Sequence, residues 1–197
     1  MYTNFNKLID SFLENNVGIA DQFLSESLAK NLKENLIALY KKNMFLPAGT
    51  GNDKQINHNR LVRSDVIYWL DRSHKDAVEN EFFDLIDDFV SYLNRTCYTG
   101  ITGYEFHYTM YDKGSFYKKH LDQFRNNDSR KYSMIMYLNP EWMKEDGGEL
   151  CIHHDDHLQN IDPTNRKSVF FRSNEIEHEV LLSNKPRLGL AGWFKVN

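Results

Sequence analysis

Eight histidines and sixteen aspartates in a chain of 197 residues make a bound metal the first chemistry to test. Pairs of the form His-x-Asp arise by chance about 0.6 times at that composition. The chain has four: His74/Asp76, His120/Asp122, His153/Asp155 and His154/Asp156. Context sorts them. His74/Asp76 falls in Ser73-His74-Lys75-Asp76, the S-x-x-D form of a capping box, where Asp76 has a structural task and His74 is expected in solvent. His153-His154-Asp155-Asp156-His157 reads as a strand running into a polar turn, for which solvation is the plain expectation and adventitious metal binding the alternative. His120/Asp122 lies in a strand-like run, where residues i and i+2 point to one face, as two ligands of one ion require.

A third ligand must come from elsewhere, and His178 is the candidate. Alternation over Ile176–Leu182 puts Ile176, His178, Val180 and Leu182 on one face and Glu177 and Glu179 on the other. A lone imidazole on an apolar face is ordinarily a hydrogen-bonded core residue. Beside His120 and Asp122 it completes two imidazoles and one carboxylate, a set that occupies one face of an octahedron and leaves three positions open, as in non-haem Fe(II) oxygenases. A cation follows on the next strand. If Ser183–Pro186 form a hairpin loop, Leu182 faces Arg187, Val180 faces Gly189 and His178 faces Ala191. Arg187 then shares the face of His178 at about 13 Å along the strand. An extended guanidinium and a five-carbon diacid held at the metal would span that gap, with two parallel charge-assisted hydrogen bonds at the distal carboxylate.

The elements that must position these residues divide the chain. Leu8, Ile9, Phe12 and Leu13 recur at helical spacing, and a second helix follows the N-cap candidate Ser25 with Leu28, Leu32, Leu36, Ile37 and Tyr40 along one face. A third carries Val78, Phe82, Leu85, Ile86, Phe89, Val90 and Leu93. Between the last two, Arg60–Leu70 reads as a strand. From Gly103 onward the candidates are strands: Tyr104–Tyr111, Phe116–Asp122, Tyr132–Leu138, Glu149–His153, Ser168–Arg172, Ile176–Leu182 and Leu188–Val196. Turn residues such as Gly147-Gly148 and Asp162-Pro163 separate them. Short strands at this spacing predict a sandwich or barrel with the helices as a covering layer, in one domain over 1–197: mostly helical support to residue 100, the β core from 101.

Composition excludes other classes. With 24 basic and 28 acidic side chains the formal charge is −4, which gives no footprint for nucleic acid or an anionic membrane. An aromatic content of 14% argues against disorder. Two cysteines, Cys97 and Cys151, are too few for a disulfide scaffold and suit a reducing cytoplasm. The first residues lack the basic and apolar regions of a secretory signal, and no apolar run reaches membrane-spanning length.

Four ordered segments carry a family resemblance: Tyr111–Asp122; Ile135–Asn139; Gly147–Leu150; and His178-Glu179-Val180 with Arg187 and then Trp193-Phe194. From about Arg60 to Asn197 the chain resembles the 2-oxoglutarate- and Fe(II)-dependent dioxygenases, in the prolyl-4-hydroxylase branch related to the hypoxia-inducible-factor prolyl hydroxylases and their bacterial relatives. About 55 N-terminal residues resemble nothing identifiable. The resemblance implies a double-stranded β-helix, or jelly-roll, core flanked by helices: a mainly β fold with an N-terminal α layer. It implies His120, Asp122 and His178 as iron ligands, and Arg187 and Tyr137 on the distal carboxylate of 2-oxoglutarate. Tyr111 would stand nearer the iron, Ile135 and Leu150 would be apolar walls, and Trp193 a pocket-lining aromatic. Ala191 departs from the family, whose animal members have a threonine there, so one polar contact to the cosubstrate would be absent or made by water. The implied reaction hydroxylates a prolyl residue of a protein while 2-oxoglutarate becomes succinate and CO2, with ascorbate as a possible reductant. Arg130 and Arg125, in the loop from Gln123, and the segment Leu46–Asn59 are the candidates for a substrate rim. Two alternatives stand beside this: a dioxygenase acting on a small molecule such as a free amino acid, and a β-barrel that binds or senses metal without turnover, which would have no need of Arg187 and Tyr137.

Overall fold

The computed structural model describes residues 2–49, 61–123 and 128–196. Three helices come first: α1 (Tyr2–Asn15), α2 (Glu26–Lys41) and α3 (Ala77–Cys97). Each owes its position to an apolar stripe and, for two of them, to a cap. Ser25 Oγ accepts from the Leu28 amide at the start of α2, and Leu28, Leu32 and Leu36 turn inward. Asp76 accepts from the Val78 and Glu79 amides and is itself the N-cap of α3. The expected Ser73–Asp76 capping box is therefore displaced: Ser73 and His74 form a short 3-10 turn capped by Asp71. His74 is not simply solvated, because its Nδ1 lies 2.9 Å from the buried Glu79 carboxylate.

Eleven strands complete the described structure: β1 (Val17–Ala20), β2 (Leu46–Pro47), β3 (Val66–Trp69), β4 (Gly103–Tyr111), β5 (Tyr117–His120), β6 (Arg130–Tyr137), β7 (Leu150–His153), β8 (Leu158–Ile161), β9 (Ser168–Arg172), β10 (Glu177–Val180) and β11 (Arg187–Lys195). They pair antiparallel in two sheets, a seven-stranded one ordered β1-β9-β6-β11-β4-β3-β2 and a four-stranded one ordered β5-β10-β7-β8. This is the jelly-roll arrangement with an α layer. All seven strands expected after Gly103 are present, with ends shifted by up to two residues; β1, β2 and β8, of two to four residues each, were not expected.

Alternation along the large sheet separates two cores. Phe106 and Tyr108 of β4, Met134 and Met136 of β6, Phe170 of β9, and Leu190 and Phe194 of β11 face the helices, where they meet Phe5, Phe82 and Phe89. Rings there pack edge to face, as in Phe89–Phe194 at 6.0 Å and Phe106–Phe194 at 5.6 Å. Each such side chain contributes about 1.5–3 kcal/mol by burial. The opposite face of the large sheet closes on the small one around Tyr111, Tyr137, Leu150, Ile152, Val169, Phe171 and Val180.

The expected β10–β11 hairpin is absent. β10 pairs with β5 and β7, and β11 pairs with β4 and β6, so the two strands lie in different sheets. The His178–Ala191 register and the 13 Å spacing along a shared strand face fall with it. A jelly roll hands consecutive strands from one sheet to the other, and a short connection there is not a hairpin turn. Among the described residues no helix is long and apolar enough to cross a membrane.

Candidate active site

His120 ends β5 and stands in register opposite His178 of β10. Asp122 lies two residues past the strand rather than within it, in a bend. The rings of His120 and His178 are 4.3 Å apart. His120 Nε2 is 3.4 Å from Asp122 Oδ1, and His178 Nε2 is 3.7 Å from Asp122 Oδ2. In both histidines Nδ1 meets a backbone carbonyl, that of Lys118 at 2.8 Å and that of Ile176 at 3.1 Å. A carbonyl only accepts, so each Nδ1 carries the hydrogen and each Nε2 offers its lone pair. Ser133 donates to Asp122 Oδ2 at 2.7 Å, with Ser173 at 2.9 Å behind it, which leaves the carboxylate oriented but not exhausted.

The charge states suit metal binding. Burial pushes the His178 imidazole down to about 4, against the pull of Asp122, so it is neutral at neutral pH. Burial acts to raise Asp122, but His178, His120 and the Ser133 hydroxyl outweigh it and hold the carboxyl far below the usual range. A further stack steadies His120. Its ring lies 3.6 Å from that of Tyr117, nearly parallel at 16°, and the Arg63 guanidinium sits 4.2 Å over the other face of Tyr117. Arg63 is locked in turn by the buried Asp65 through bonds of 2.8 and 2.7 Å.

Deeper in the cleft, Arg187 begins β11 opposite Tyr111 of β4. It is 1% exposed, its Nε donates to the Gly148 carbonyl at 2.8 Å, and it has no ion-pair partner among the described residues. The rings of Tyr111 and Tyr137 flank its guanidinium at 5.0 and 4.9 Å. Arg187 Nη2 and the Tyr137 hydroxyl are both buried without a hydrogen-bond partner among the described residues. Burial pushes the Tyr137 phenol up to about 12 despite Arg187, so it remains a donor. Gly148 has a second role beyond the turn that its sequence suggests. At a φ of +67° its carbonyl reaches Arg187, and a Cβ there would stand 2.9 Å from Ser183 Oγ and 3.1 Å from Arg187 Cδ.

Ile135, Tyr137, Ala191 and Trp193 all face the cleft from the large sheet, and Leu150 faces it from the small one. Trp193 is stacked on His107 at 5.4 Å, and the half-exposed Trp69 packs against His107 at 4.9 Å with its ring tilted by 54°. The Arg130 guanidinium covers Trp193 at 3.5 Å and pairs with Glu105 at 2.7 Å, so it braces the wall of the cleft. Arg125 and residues 50–59 of the expected rim lie outside the described residues. His107, Trp69, Arg63, Asp65, Tyr117 and Ser133 were not singled out from the sequence. His107 was within reach, since alternation from Tyr111 puts Thr109, His107 and Glu105 on the same face.

The sequence profile of the 2OG-Fe(II) oxygenase superfamily matches residues 106–195, the stretch that carries every one of the clustered residues from Tyr111 to Trp193. A prolyl-4-hydroxylase of Pseudomonas putida superposes with a TM-score of 0.87 over 98% of this chain and 99% of its own, at 27% identity. Residues 106–195 thus match the 2OG-Fe(II) oxygenase superfamily, and the chain has the fold of a prolyl-4-hydroxylase. A Trichoplax adhaerens prolyl hydroxylase, solved in complex with a peptide fragment of the hypoxia-inducible-factor oxygen degradation domain, shares the fold with a TM-score of 0.84 over 97% of this chain and 88% of its own, at 23% identity. By sequence, prolyl 3-hydroxylase OGFOD1 of Xenopus laevis is 35% identical over 78 residues, 34% of this chain. The matched segment spans only 15% of that relative's length, and 14% of its mouse counterpart's.

The match to this superfamily implies Fe(II) and 2-oxoglutarate, and the residues present fit both. Two imidazole nitrogens and one carboxylate oxygen come together, with their donor atoms within 4.8 Å of one another. The unpartnered Arg187 Nη2 and Tyr137 hydroxyl are the donors that a buried carboxylate would satisfy.

Proposed function

We propose that this protein is an Fe(II)- and 2-oxoglutarate-dependent dioxygenase that hydroxylates a prolyl residue in a polypeptide, releasing succinate and CO2. The observation that carries the reading is the pairing of a facial His120–Asp122–His178 set with a buried, unpaired Arg187 beside the unpaired Tyr137 hydroxyl. A protein that only held metal would gain nothing from an uncompensated cation in its core.

His120, Asp122 and His178 would hold the metal, with Lys118 and Ile176 carbonyls fixing the tautomers and Ser133 fixing the carboxylate. Arg187 and Tyr137 would take the distal carboxylate of 2-oxoglutarate through charge-assisted bonds, and Ile135, Leu150 and Tyr111 would exclude water from its chain. When bound, iron and the oxo acid supply the oxidising chemistry that no side chain provides. The chain's own work is to orient both and to hold the target C–H beside them.

A polypeptide substrate is supported by the open aromatic edge at the mouth, where Trp69 is 45% exposed and stands 6.2 Å from Trp193. Flat aromatic faces suit a pyrrolidine ring, and an exposed edge admits chain on either side. The Pseudomonas putida fold relative carries the name of a 4-hydroxylase and the sequence relative that of a 3-hydroxylase, so the ring carbon is a question for the product. We place the activity in the cytoplasm, in agreement with two cysteines that stay free.

The test uses purified protein with Fe(II), 2-oxoglutarate and ascorbate as reductant. Succinate should form slowly alone and faster with proline-containing peptides, and His178→Ala should abolish it. Fragment-ion mass spectrometry and NMR of the product would locate one added oxygen. Absence of both succinate and 2-oxoglutarate binding overturns the dioxygenase reading. Turnover with free proline but with no peptide would favour a small-molecule substrate.

A further inference from the structure

The other face of the small sheet carries a second set of donor atoms. Cys151 and His153 are two residues apart on β7 and therefore share a face, and Glu179 of β10 is registered opposite Cys151. The intervening Leu150, Ile152 and Val180 point the other way, into the core, as does the imidazole of His178. The sheet itself thus separates this set from the catalytic one.

His153 Nε2 lies 2.9 Å from Glu179 Oε1 and 4.0 Å from Cys151 Sγ. The three donor atoms all fall within 4.8 Å of one another. Zinc bonds of about 2.0–2.3 Å at tetrahedral angles put such donors roughly 3.3–3.6 Å apart, and the observed separations straddle that range. Cys151 is 2% exposed, while the side chains of His153 and Glu179 are 22% and 28% exposed, so the set is walled at its base and open at its mouth. The neighbouring polar groups have other partners. Glu177 pairs with Lys119 at 2.8 Å, His154 with Gln159 at 3.0 Å, and His157 with Asp156 at 2.6 Å. Of the run His153–His157, only His153 lies within β7, which is why the run reads in sequence as a solvated turn.

We propose that Cys151, His153 and Glu179 form a second metal site, selective for a borderline-soft divalent ion of the zinc class, with water in the fourth position. The thiol gives its proton to solvent as the sulfur–metal bond forms, and thiolate and carboxylate then neutralise the dication. Sulfur in the donor set distinguishes this site from the nitrogen–oxygen set across the sheet, which suits iron. Occupancy would tie β7 to β10 at the register that carries His178. The proposal rests on these three side chains and not on the dioxygenase reading.

Cobalt(II) is the probe, added to the full chain without other metals. A thiolate ligand gives cobalt an intense near-ultraviolet charge-transfer band that two imidazoles and a carboxylate cannot give. The band should appear with one equivalent, disappear on adding zinc, and persist in Asp122→Ala and in Cys97→Ser. Cys151→Ser should lose it, and Glu179→Gln, a half-exposed change that leaves the core untouched, should weaken cobalt binding about tenfold or more. No band in the wild type at saturating cobalt overturns the proposal. So does a band that survives in Cys151→Ser, or an affinity unchanged in both Glu179→Gln and His153→Gln.

Discussion

Arg187→Met separates a binding cation from a structural one. The guanidinium is 1% exposed and compensated by one carbonyl bond of 2.8 Å and two aromatic faces, with no carboxylate paired to it among the described residues. Methionine keeps much of the length and apolar volume. Replacing buried charged groups by apolar residues of similar volume is often neutral or stabilising, by about 1–4 kcal/mol for whole ion pairs, against which the lost Gly148 bond costs about 1.5–3 kcal/mol. The ligand-free fold should therefore change little. For 2-oxoglutarate the loss is one-sided. Two charge-assisted bonds at about 1.5–3 kcal/mol each amount to roughly 3 kcal/mol or more, which is over a hundredfold in affinity. Calorimetric titration of 2-oxoglutarate into Mn(II)-loaded protein, redox-inert in place of iron, measures this directly, and thermal unfolding with and without ligand measures the rest. The wild type should gain in Tm with saturating 2-oxoglutarate, and the variant should not. An affinity within threefold of the wild type, together with a large drop in the ligand-free Tm, would show Arg187 to be a core brace and sink the reasoning.

Tyr117→Leu removes the ring stacked on His120 and should lower Mn(II) affinity about tenfold with a modest loss of Tm; equal affinity would deny the stack any positioning role. His107 should make stability depend on pH. Burial, with Arg63 and Arg130 adding to it, pushes its imidazole down to about 3, so between about 6.5 and 3 the unfolded chain binds the extra proton. Its contribution is thus present above pH 6.5 and lost as pH falls, by up to about 5 kcal/mol at 1.36 kcal/mol per unit. Urea titrations at a series of pH values should show a shallower slope for His107→Phe, and parallel slopes would contradict the assignment. Gly192→Ala sets a Cβ 2.2 Å from the Phe106 ring and 2.5 Å from the Glu105 carbonyl, and should cost about 1–3 kcal/mol by overpacking, read as a lowered denaturation midpoint. Gly148→Ala, forced to a positive φ beside Arg187 Cδ, should weaken 2-oxoglutarate binding more than it lowers Tm; the reverse order would limit Gly148 to the turn.

Side-chain type and two-residue alternation singled out His120, Asp122 and His178, because chemistry and face are local properties, whereas Arg187 was reached through a hairpin register that the structure does not have. Which strand lies beside which is not local. β10 and β11 are separated by six residues and look like a hairpin, yet they belong to different sheets, and only tertiary packing decides that. The same limit hid the Asp65–Arg63–Tyr117–His120 stack, whose members are drawn from segments over fifty residues apart in sequence. It also hid the partners of Cys151 and His153, since Glu179 arrives from across the sheet. Helices were read well wherever a stripe and a cap coincided, as at Ser25. Where Ser73 and Asp76 both offered caps, a turn intervened and the second was used.

β5 is four residues long and ends the small sheet, paired on one side with β10 and held on the other by the Arg63–Tyr117 bridge and by backbone hydrogen bonds from Lys118 to Val62 and from Ser64 to Phe116. It carries one ligand at its end and delivers Asp122 two residues later. An ion held by His120 and His178, as proposed, would span β5 and β10 and add to these contacts. Metal loading would then also tighten the end of the small sheet. The affinity measured for the ion would include any strengthening of the β5–β10 pairing, and amide exchange in residues 117–120 should slow on loading while the central strands β6 and β11 stay protected throughout.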